Sequence, residues 1–191
     1  MLSDRFILFP ILQLVFWFAL FSYWAFTANS QGRNNQSKNE LTGFLKLAGI
    51  PIALFVPWIG WGWVGIKLFS ASLITDLLGT LLSACGLLIA IWARVMLGRN
   101  WSGNVVIQKN HQLIQEGPYS LVRHPIYFGV ILLVFGSAIV LAGLWGMLIT
   151  IIISLGLYQK AKLEEKLLME QFPDKYLEYK KLVKRLIPFI L

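Results

Sequence analysis

The sequence has few of the residue types on which disulfide frameworks and metal sites depend. Cysteine occurs once, at Cys85, and histidine twice, at His111 and His124. A single cysteine cannot form an internal disulfide, and inside an apolar run it is expected to pack as a small apolar side chain. The histidines match no metal-binding spacing such as HExxH. We therefore predict no metal site.

Charged residues are also scarce. They make up 14% of the 191 residues, while 57% are hydrophobic, and the mean hydropathy is +0.67. This composition is too apolar for a soluble protein of this length and predicts one bundle of membrane spans. The net charge of +8 is compatible with nucleic-acid binding, but the basic residues border apolar runs or lie in the tail. Anionic lipid headgroups and membrane topology explain that distribution, so no nucleic-acid partner is expected.

The apolar runs predict an all-α integral membrane protein with five transmembrane helices. The first run, 6–26, is about 30 Å long as a helix, and it is longer than the apolar part of a signal peptide. The second and third spans are expected over 44–66 and 72–97. The uncharged run 126–158 would be about 50 Å long as one helix, which exceeds a bilayer core of ~30 Å. A break at 142–146 would divide it into a helical hairpin.

The chain after this hairpin is expected to leave the membrane. It is charged from Gln159 onward, and Phe172 and Pro173 indicate a helix break. A final amphipathic helix is predicted to run to about Arg185 as a cytoplasmic tail. Its apolar face is formed by Tyr176, Tyr179, Val183 and Leu186 or Ile187.

The distribution of basic residues predicts the orientation of the chain. Fifteen of the 17 Lys and Arg residues lie on the side of the 27–43 loop, the 98–124 segment and the tail, whereas Arg5 and Lys67 lie on the other side. The positive-inside rule then places the N-terminus outside and the tail in the cytoplasm, as in a bacterial inner membrane protein. We divide the chain into a three-span region, 1–97, and a core of connector, hairpin and tail, 98–191.

A polar motif, GPYSLVRHPIYFG, lies directly before the hairpin. Pro125 is suited to the first turn of a helix, where its missing N–H is not needed. Tyr119, Arg123 and His124 would gather at the start of that helix, where free amides and the helix dipole favour an anionic group. The simpler interpretation is that His124 caps the helix at the lipid interface and Arg123 marks the cytoplasmic side.

A pair of acidic residues, Glu164 and Glu165, follows the hairpin at the same membrane face. Lys160 and Glu164 are four residues apart, as are Lys162 and Lys166 and then Lys166 and Glu170, so a solvated charged helix face is the simpler interpretation. Neighbouring helical residues point about 100° apart, so one of the two glutamates is expected to point into a site. We predict that this pair and the motif before the hairpin form one site.

These motifs also carry a family resemblance. The segment NWSGNVVIQKNHQLIQEGPYSLVRHPIYFG, the hairpin, and EEKLLMEQFPDKYLEYKKLVKRLIP together resemble the isoprenylcysteine carboxyl methyltransferase family and its bacterial relatives. That family is in turn similar to phospholipid N-methyltransferases. The resemblance covers 97–188 and implies S-adenosylmethionine as cofactor at the cytoplasmic membrane face. It implies methyl transfer to the carboxylate of a prenylated cysteine or, in relatives, to an amine or another small lipophilic acceptor.

The resemblance also implies roles for particular residues. It assigns catalysis to Glu165, Arg123 and Lys160. Family members have an arginine five residues before the glutamate, and a lysine at that position cannot make the same forked contact with a carboxylate. The acceptor therefore need not be a carboxylate. The cofactor-binding positions are His111, Leu113, Gly117, Tyr119, Arg123, His124, Pro125, Tyr127, Glu164 and Glu165.

Three other functions are compatible with the sequence. The first is a phospholipid or small-amine N-methyltransferase, which differs only in the acceptor. The second is a sterol-type membrane reductase, whose members are similar through an RHP-Y segment before a span but use NADPH. The third is a non-catalytic membrane scaffold. The acidic pair after the hairpin favours a methyltransferase, with membrane lipid and a lipophilic acceptor as partners. The oligomeric state does not follow from the sequence.

Overall fold

The structure is a computed structural model that describes residues 2–30, 72–98, 113–141, 143–188 and 190. The predicted second span, 44–66, and most of the connector 98–124 lie outside these ranges. The described part consists of helices α1 (Leu2–Ser30), α2 (Leu73–Leu97), a 3-10 turn (Gly117–Ser120), α3 (Pro125–Val140), α4 (Leu144–Gln171) and α5 (Pro173–Leu182).

The described helices confirm an all-helical membrane architecture. Three segments are long and apolar enough to cross a bilayer, namely Ile7–Thr27, Leu73–Leu97 and Leu144–Gln171. Helix α3, Pro125–Val140, is apolar but shorter. The predicted total of five spans includes 44–66 and therefore stays a prediction.

Helix α2 begins at a capping box. The Ser72 side chain accepts a hydrogen bond from the Thr75 amide at 3.2 Å, and the Ser72 amide donates to the Thr75 hydroxyl at 2.8 Å. These two bonds satisfy backbone groups that would otherwise lack partners at the helix start. The helix ends before Gly98, which has a positive φ of 51°. Its position is thus fixed at both ends by local sequence.

Helices α2 and α3 pack with their backbones in contact. Gly79 and Gly86 of α2 face Gly136 and Gly129 of α3. A Cβ atom added to Gly136 would lie 2.4 Å from the Gly79 carbonyl oxygen, and one added to Gly86 would lie 2.5 Å from the Gly129 carbonyl oxygen. Because apolar burial does not drive helix association in lipid, such close approach of small residues is a principal source of packing energy. The pair forms the rigid centre of the fold.

A buried polar network attaches α1 to this pair. Gln13 donates to the Thr80 hydroxyl at 3.3 Å, and Trp17 donates through its indole N–H to the Ser137 hydroxyl at 3.2 Å. The Ser137 hydroxyl lies 3.0 Å from Gln13 Oε1 and 2.8 Å from the Leu133 carbonyl oxygen, and it shares its proton between them. Hydrogen bonds within a bundle satisfy polar groups that lipid cannot. The network therefore fixes the rotation of α1 about its axis.

The predicted hairpin is confirmed. Helix α3 ends at Val140 and α4 begins at Leu144, so the break overlaps the start of the predicted break at 142–146, while 144–146 belong to α4. Helix α4 has 28 residues and is about 42 Å long, so its charged second half extends beyond a ~30 Å apolar core. It ends at Gln171, and α5 begins at Pro173, where the sequence indicated a break.

The predicted end of the last helix is wrong. Helix α5 stops at Leu182, and Val183 is extended with φ −117° and ψ 134°. The next two residues pair with the segment before α3: the Arg123 amide donates to the Lys184 carbonyl at 2.8 Å, and the His124 amide donates to the Arg185 carbonyl at 3.0 Å. This long-range pairing replaces the last helical turn. The apolar face is otherwise observed, because Tyr176 and Tyr179 of α5 and Leu186 beyond it are buried.

Candidate functional site

The segment before α3 is fixed by buried tyrosines. Gly117 has a positive φ of 60° and opens the 3-10 turn. The Tyr119 hydroxyl donates to the Ala93 carbonyl at 3.3 Å, and the Tyr119 carbonyl accepts a hydrogen bond from the Tyr179 hydroxyl. Burial raises the pKa of Tyr119, which keeps its hydroxyl a donor. These contacts fix the turn between the end of α2 and α5.

Helix α3 begins as the sequence predicts. Pro125 occupies the first turn, and His124 precedes it at the N-cap position without a side-chain capping bond. Its imidazole instead stacks on the Tyr127 ring, with centroids 5.4 Å apart and planes 1° apart. The simpler interpretation of His124 as a helix cap therefore does not describe its side chain.

Glu165 lies between two arginines at the end of the hairpin. Its side chain is 2% exposed. Arg123 contacts Oε1 through Nε at 3.0 Å and through Nη2 at 2.8 Å. Arg185 contacts Oε1 through Nε at 2.9 Å and Oε2 through Nη2 at 2.8 Å. Arg185 thus makes a forked contact with both oxygens, and such charge-assisted hydrogen bonds are roughly twice as strong as neutral ones.

Arg123 uses all three of its nitrogens inside the protein. Besides its two contacts with Glu165, Nη1 donates to the Val183 carbonyl and lies 3.3 Å from the Lys180 carbonyl oxygen. Its side chain is only 5% exposed. Arg123 therefore joins the start of α3, the second half of α4 and the chain around the end of α5.

Glu164 is the more accessible acid, with 22% of its side chain exposed. It accepts a hydrogen bond from the Tyr127 hydroxyl, and His124 Nδ1 lies 3.5 Å from its Oε2. Lys160 Nζ lies 4.0 Å from Glu164 Oε1 and 5.4 Å from the centroid of the Tyr127 ring. The two neighbouring glutamates thus have different environments, one enclosed by arginines and the other open on one side.

The acidic pair also controls the charge of His124. Burial by itself lowers the pKa of this imidazole, but its interactions with the carboxylates of Glu164 and Glu165 outweigh burial and raise the pKa above its ordinary value. His124 Nε2 is buried without a hydrogen-bond partner among the described residues, and it lies 3.4 Å from Glu165 Oε1. Both ring nitrogens of His124 therefore face carboxylates of the acidic pair.

The structure brings most of the predicted site residues into one cluster, which we call the acidic-pair cluster. Its members come from both ends of the hairpin: Arg123, His124, Tyr127, Lys160, Glu164 and Glu165. Pro125 begins the helix, Gly117 and Tyr119 shape the turn before it, and Leu113 lies half-buried ahead of that turn. His111 lies outside the described residues. In the described ranges, no three His, Cys, Asp or Glu side chains are grouped as a metal site would require.

Sequence reasoning missed Arg185. Its guanidinium carbon lies 4.9 Å from the centroid of the Tyr158 ring, in addition to the ion pair with Glu165. The only local signal is a basic residue after the predicted end of the last helix. Its pairing with an acid 20 residues earlier depends on the tail returning to the start of α3, which local sequence does not indicate.

Several known proteins resemble this chain in sequence. The sequence pattern of the phospholipid methyltransferase family matches residues 74–175. A relative from Saccharomyces cerevisiae named protein-S-isoprenylcysteine O-methyltransferase is 35% identical over 131 residues, which is 65% of this chain and 55% of that protein. Methanethiol S-methyltransferase 1 of Bradyrhizobium diazoefficiens is 40% identical over 73 residues, which is 37% of this chain and 24% of that protein.

A solved structure shows the same fold. The eukaryotic intramembrane Ras methyltransferase ICMT, an isoprenylcysteine carboxyl methyltransferase, matches with a TM-score of 0.59 at 20% sequence identity. The match covers 83% of this chain and 55% of that one. The chain thus spans about half the length of the yeast relative and of the solved structure.

These comparisons confirm the resemblance on which the sequence interpretation depends. The matched family segment contains α2 except its first residue, the hairpin and all of the acidic-pair cluster. It also covers more than half of the 191 residues. The chain therefore belongs to the phospholipid methyltransferase family.

Proposed function

We propose that the protein is an S-adenosylmethionine-dependent methyltransferase of the membrane that acts on a lipophilic acceptor. The observation that carries this proposal is the acidic-pair cluster, in which Arg123 and His124 at the start of α3 contact Glu164 and Glu165 near the end of α4. The cluster lies where the charged half of α4 follows its apolar half. A soluble cofactor and an acceptor anchored in lipid could both reach such a position.

The described residues fit the charged groups of S-adenosylmethionine. The cofactor has a carboxylate, an ammonium group and a sulfonium. The start of α3, which has no side-chain capping bond, offers backbone amides and the positive end of the helix dipole for the carboxylate. Glu164 is partly exposed and suits the ammonium group or the positive sulfonium. Tyr127 and Lys160 border the same space.

The bound cofactor would supply an electrophilic methyl group on sulfur. An ionised carboxylate acceptor needs no general base, so the protein must align the acceptor with the methyl group and exclude water. Glu165 and the two arginines on either side of it hold α3, α4 and the tail together, which makes them positioning residues for this alignment. For an amine acceptor, Glu164 is the better proton acceptor, because Glu165 already receives four hydrogen bonds from arginines.

The yeast relative's name makes the carboxylate of an isoprenylated cysteine the first acceptor to test. The Bradyrhizobium relative is named for transfer to the sulfur of methanethiol, which makes a thiol the second. We further propose that the cluster faces the cytoplasm and that the N-terminus lies outside, because the basic residues concentrate on the side of the cluster. A cysteine-accessibility experiment on intact cells tests that orientation.

A transfer assay with S-adenosylmethionine labelled in its methyl group tests the proposal. The purified protein is incubated in lipid nanodiscs with total lipid and with alkyl carboxylates, alkyl thiols and alkyl amines, and products are identified by mass spectrometry. We expect label in one acceptor class and at least an about tenfold loss of transfer in Glu164→Gln. Absence of transfer to every acceptor, with NADPH binding in place of S-adenosylmethionine binding, would favour the reductase.

A further inference from the structure

Arg185 differs from Arg123 in its access to the outside, although both contact Glu165. Arg185 binds the carboxylate through Nε and Nη2, so the Nη1 end of its guanidinium points away from Glu165. Its side chain is 17% exposed, whereas that of Arg123 is 5% exposed. Arg185 is therefore the more accessible of the two arginines, with the Tyr158 ring beside its guanidinium.

Among the described residues, the acidic-pair cluster taken together with Arg185 has more positive than negative charge. Glu164 and Glu165 are the carboxylates, and they are contacted by Arg123, Arg185 and Lys160 as well as by His124. Lys162 adds a further positive charge, with Nζ 5.8 Å from the centroid of the Tyr158 ring that also contacts Arg185. A partly buried surplus of positive charge favours an anionic ligand.

An apolar path on α4 leads to Arg185. Ile151 and Leu155 are exposed, and with Tyr158 and Lys162 they are spaced by four, three and four residues, which places them on one face of the helix. The face passes from aliphatic side chains to an aromatic ring and then to cations. It is suited to a molecule with an apolar tail in the lipid and an anionic head at the level of Tyr158.

We propose that Arg185 binds the anionic oxygen headgroup of the acceptor and so determines acceptor specificity. This inference rests on the proposed function. The tail of the acceptor lies along the Ile151–Tyr158 face, and its carboxylate or phosphate group contacts Nη1 of Arg185. Arg185 keeps its bond to Glu165, which holds the guanidinium in place for the ligand. Lys160, at 35% side-chain exposure, contacts the cluster from the Tyr127 side.

Binding of three probes with the same apolar chain tests this role. Laurate, lauryl phosphate and lauramide are titrated into the full-length protein in nanodiscs, and binding is measured by thermal shift. S-adenosylmethionine binding is measured separately. The variants are Arg185→Gln, Arg185→Lys and, as a matched control, Lys184→Gln, whose side chain is exposed on the same segment. In the wild type we expect at least about tenfold tighter binding of an anionic probe than of lauramide.

The variants separate a ligand contact from a structural role. Arg185→Gln is expected to lose this preference and keep its affinity for lauramide, whereas Lys184→Gln keeps the preference. Arg185→Lys retains a charge without the fork and is expected to show a reduced preference, which provides a test if Arg185→Gln does not fold. Tighter binding of laurate identifies a carboxylate acceptor, and tighter binding of lauryl phosphate identifies a phosphate headgroup.

Two results would overturn the assignment of Arg185. One is equal weakening of all three probes in the arginine variants, and the other is an unchanged preference for anions. Failure of the proposed function is a different result, because the wild type would then not bind S-adenosylmethionine even though its preference among the probes could still be measured.

Discussion

Two halves of the bundle meet at α3, and different interactions hold each of them to this helix. Along the membrane-embedded length of α3, contact with α2 depends on Gly79, Gly86, Gly129 and Gly136, which have no side chain. At the start of α3, contact with α4 and the tail depends on the long charged side chains around Glu165. Close backbone packing stabilises the first contact, and hydrogen bonds between charged side chains stabilise the second.

This difference follows from the solvent around each half. In lipid, burial of apolar side chains between helices contributes no hydrophobic free energy, because the lipid tails are equally apolar. Close backbone packing therefore supplies the attraction between helices. Near the aqueous face, an ion pair can be built from long side chains, but a buried one is costly if either partner is removed. The packed half should therefore be sensitive to added volume and the charged half to removed charge.

The largest effect is expected from Glu165→Gln, which removes the negative charge between Arg123 and Arg185. Loss of one partner in a buried ion pair costs about 3–5 kcal/mol. We expect a lower unfolding temperature in nanodiscs and loss of methyl transfer. Glu170→Gln, an exposed acid on the same helix, is the control. If Glu165→Gln were as stable as this control, the charged contacts would not hold the site together.

The next effect tests the packed half. Gly136→Leu would place a side chain against the Gly79 carbonyl and Ser83, and overpacking of this kind costs about 1–3 kcal/mol or more. The matched control is Gly156→Leu on α4, where an added Cβ meets nothing within 4 Å. Thermal unfolding of both variants in nanodiscs measures the difference. Equal stability of the two would mean that close packing of α2 and α3 is not needed.

A smaller effect is expected from Gln13→Leu, which removes the hydrogen bonds of Gln13 to Thr80 and Ser137 and leaves the bond from Trp17 to Ser137. Side-chain hydrogen bonds between membrane helices average about 0.6 kcal/mol and reach about 1.7. Ser137 keeps its bond to the Leu133 carbonyl, so the loss should be near the lower value. Methyl transfer should stay within about twofold of wild type, since Gln13 has no described contact with the acidic-pair cluster. A large loss of transfer would mean that α1 also positions the site.

The smallest effect concerns how the stability of the fold depends on pH. The folded protein raises the pKa of His124 above the unfolded value of about 6.5. His124 therefore makes its full contribution to the free energy of unfolding below about pH 6.5. That contribution is lost as the pH rises through the raised pKa of the folded protein. The difference in unfolding temperature between wild type and His124→Gln should shrink as the pH rises. A constant difference between acid and alkaline pH would show that His124 does not change its charge.

The two halves also differ in what the sequence predicts. The apolar runs and the prolines at 125 and 173 predict the helices and their breaks because these signals act within one or two turns. The acidic pair and the motif before α3 could be placed at one membrane face because a hairpin has both of its open ends on the same side. The family resemblance identified the residues that the structure groups there.

The contacts that the sequence did not predict join distant parts of the chain. The opposition of the α2 and α3 glycines depends on register between helices, which no local pattern gives. The extended backbone after Val183 and the bond from Arg185 to Glu165 depend on the tail returning to Arg123 and His124. The helical pattern of the sequence continues past Leu182. It does not indicate that the helix ends there, because Arg123, whose side chain binds the Val183 carbonyl, lies 60 residues away along the chain.

Calorimetric titration with S-adenosylmethionine tests the central claim most directly. The purified protein and its Glu164→Gln variant are titrated in nanodiscs, after matched unfolding temperatures have shown that both are folded. The account predicts saturable binding to the wild type and at least about tenfold weaker binding to the variant. Absence of saturable heat from the folded wild type would contradict the claim that the acidic-pair cluster is a cofactor site.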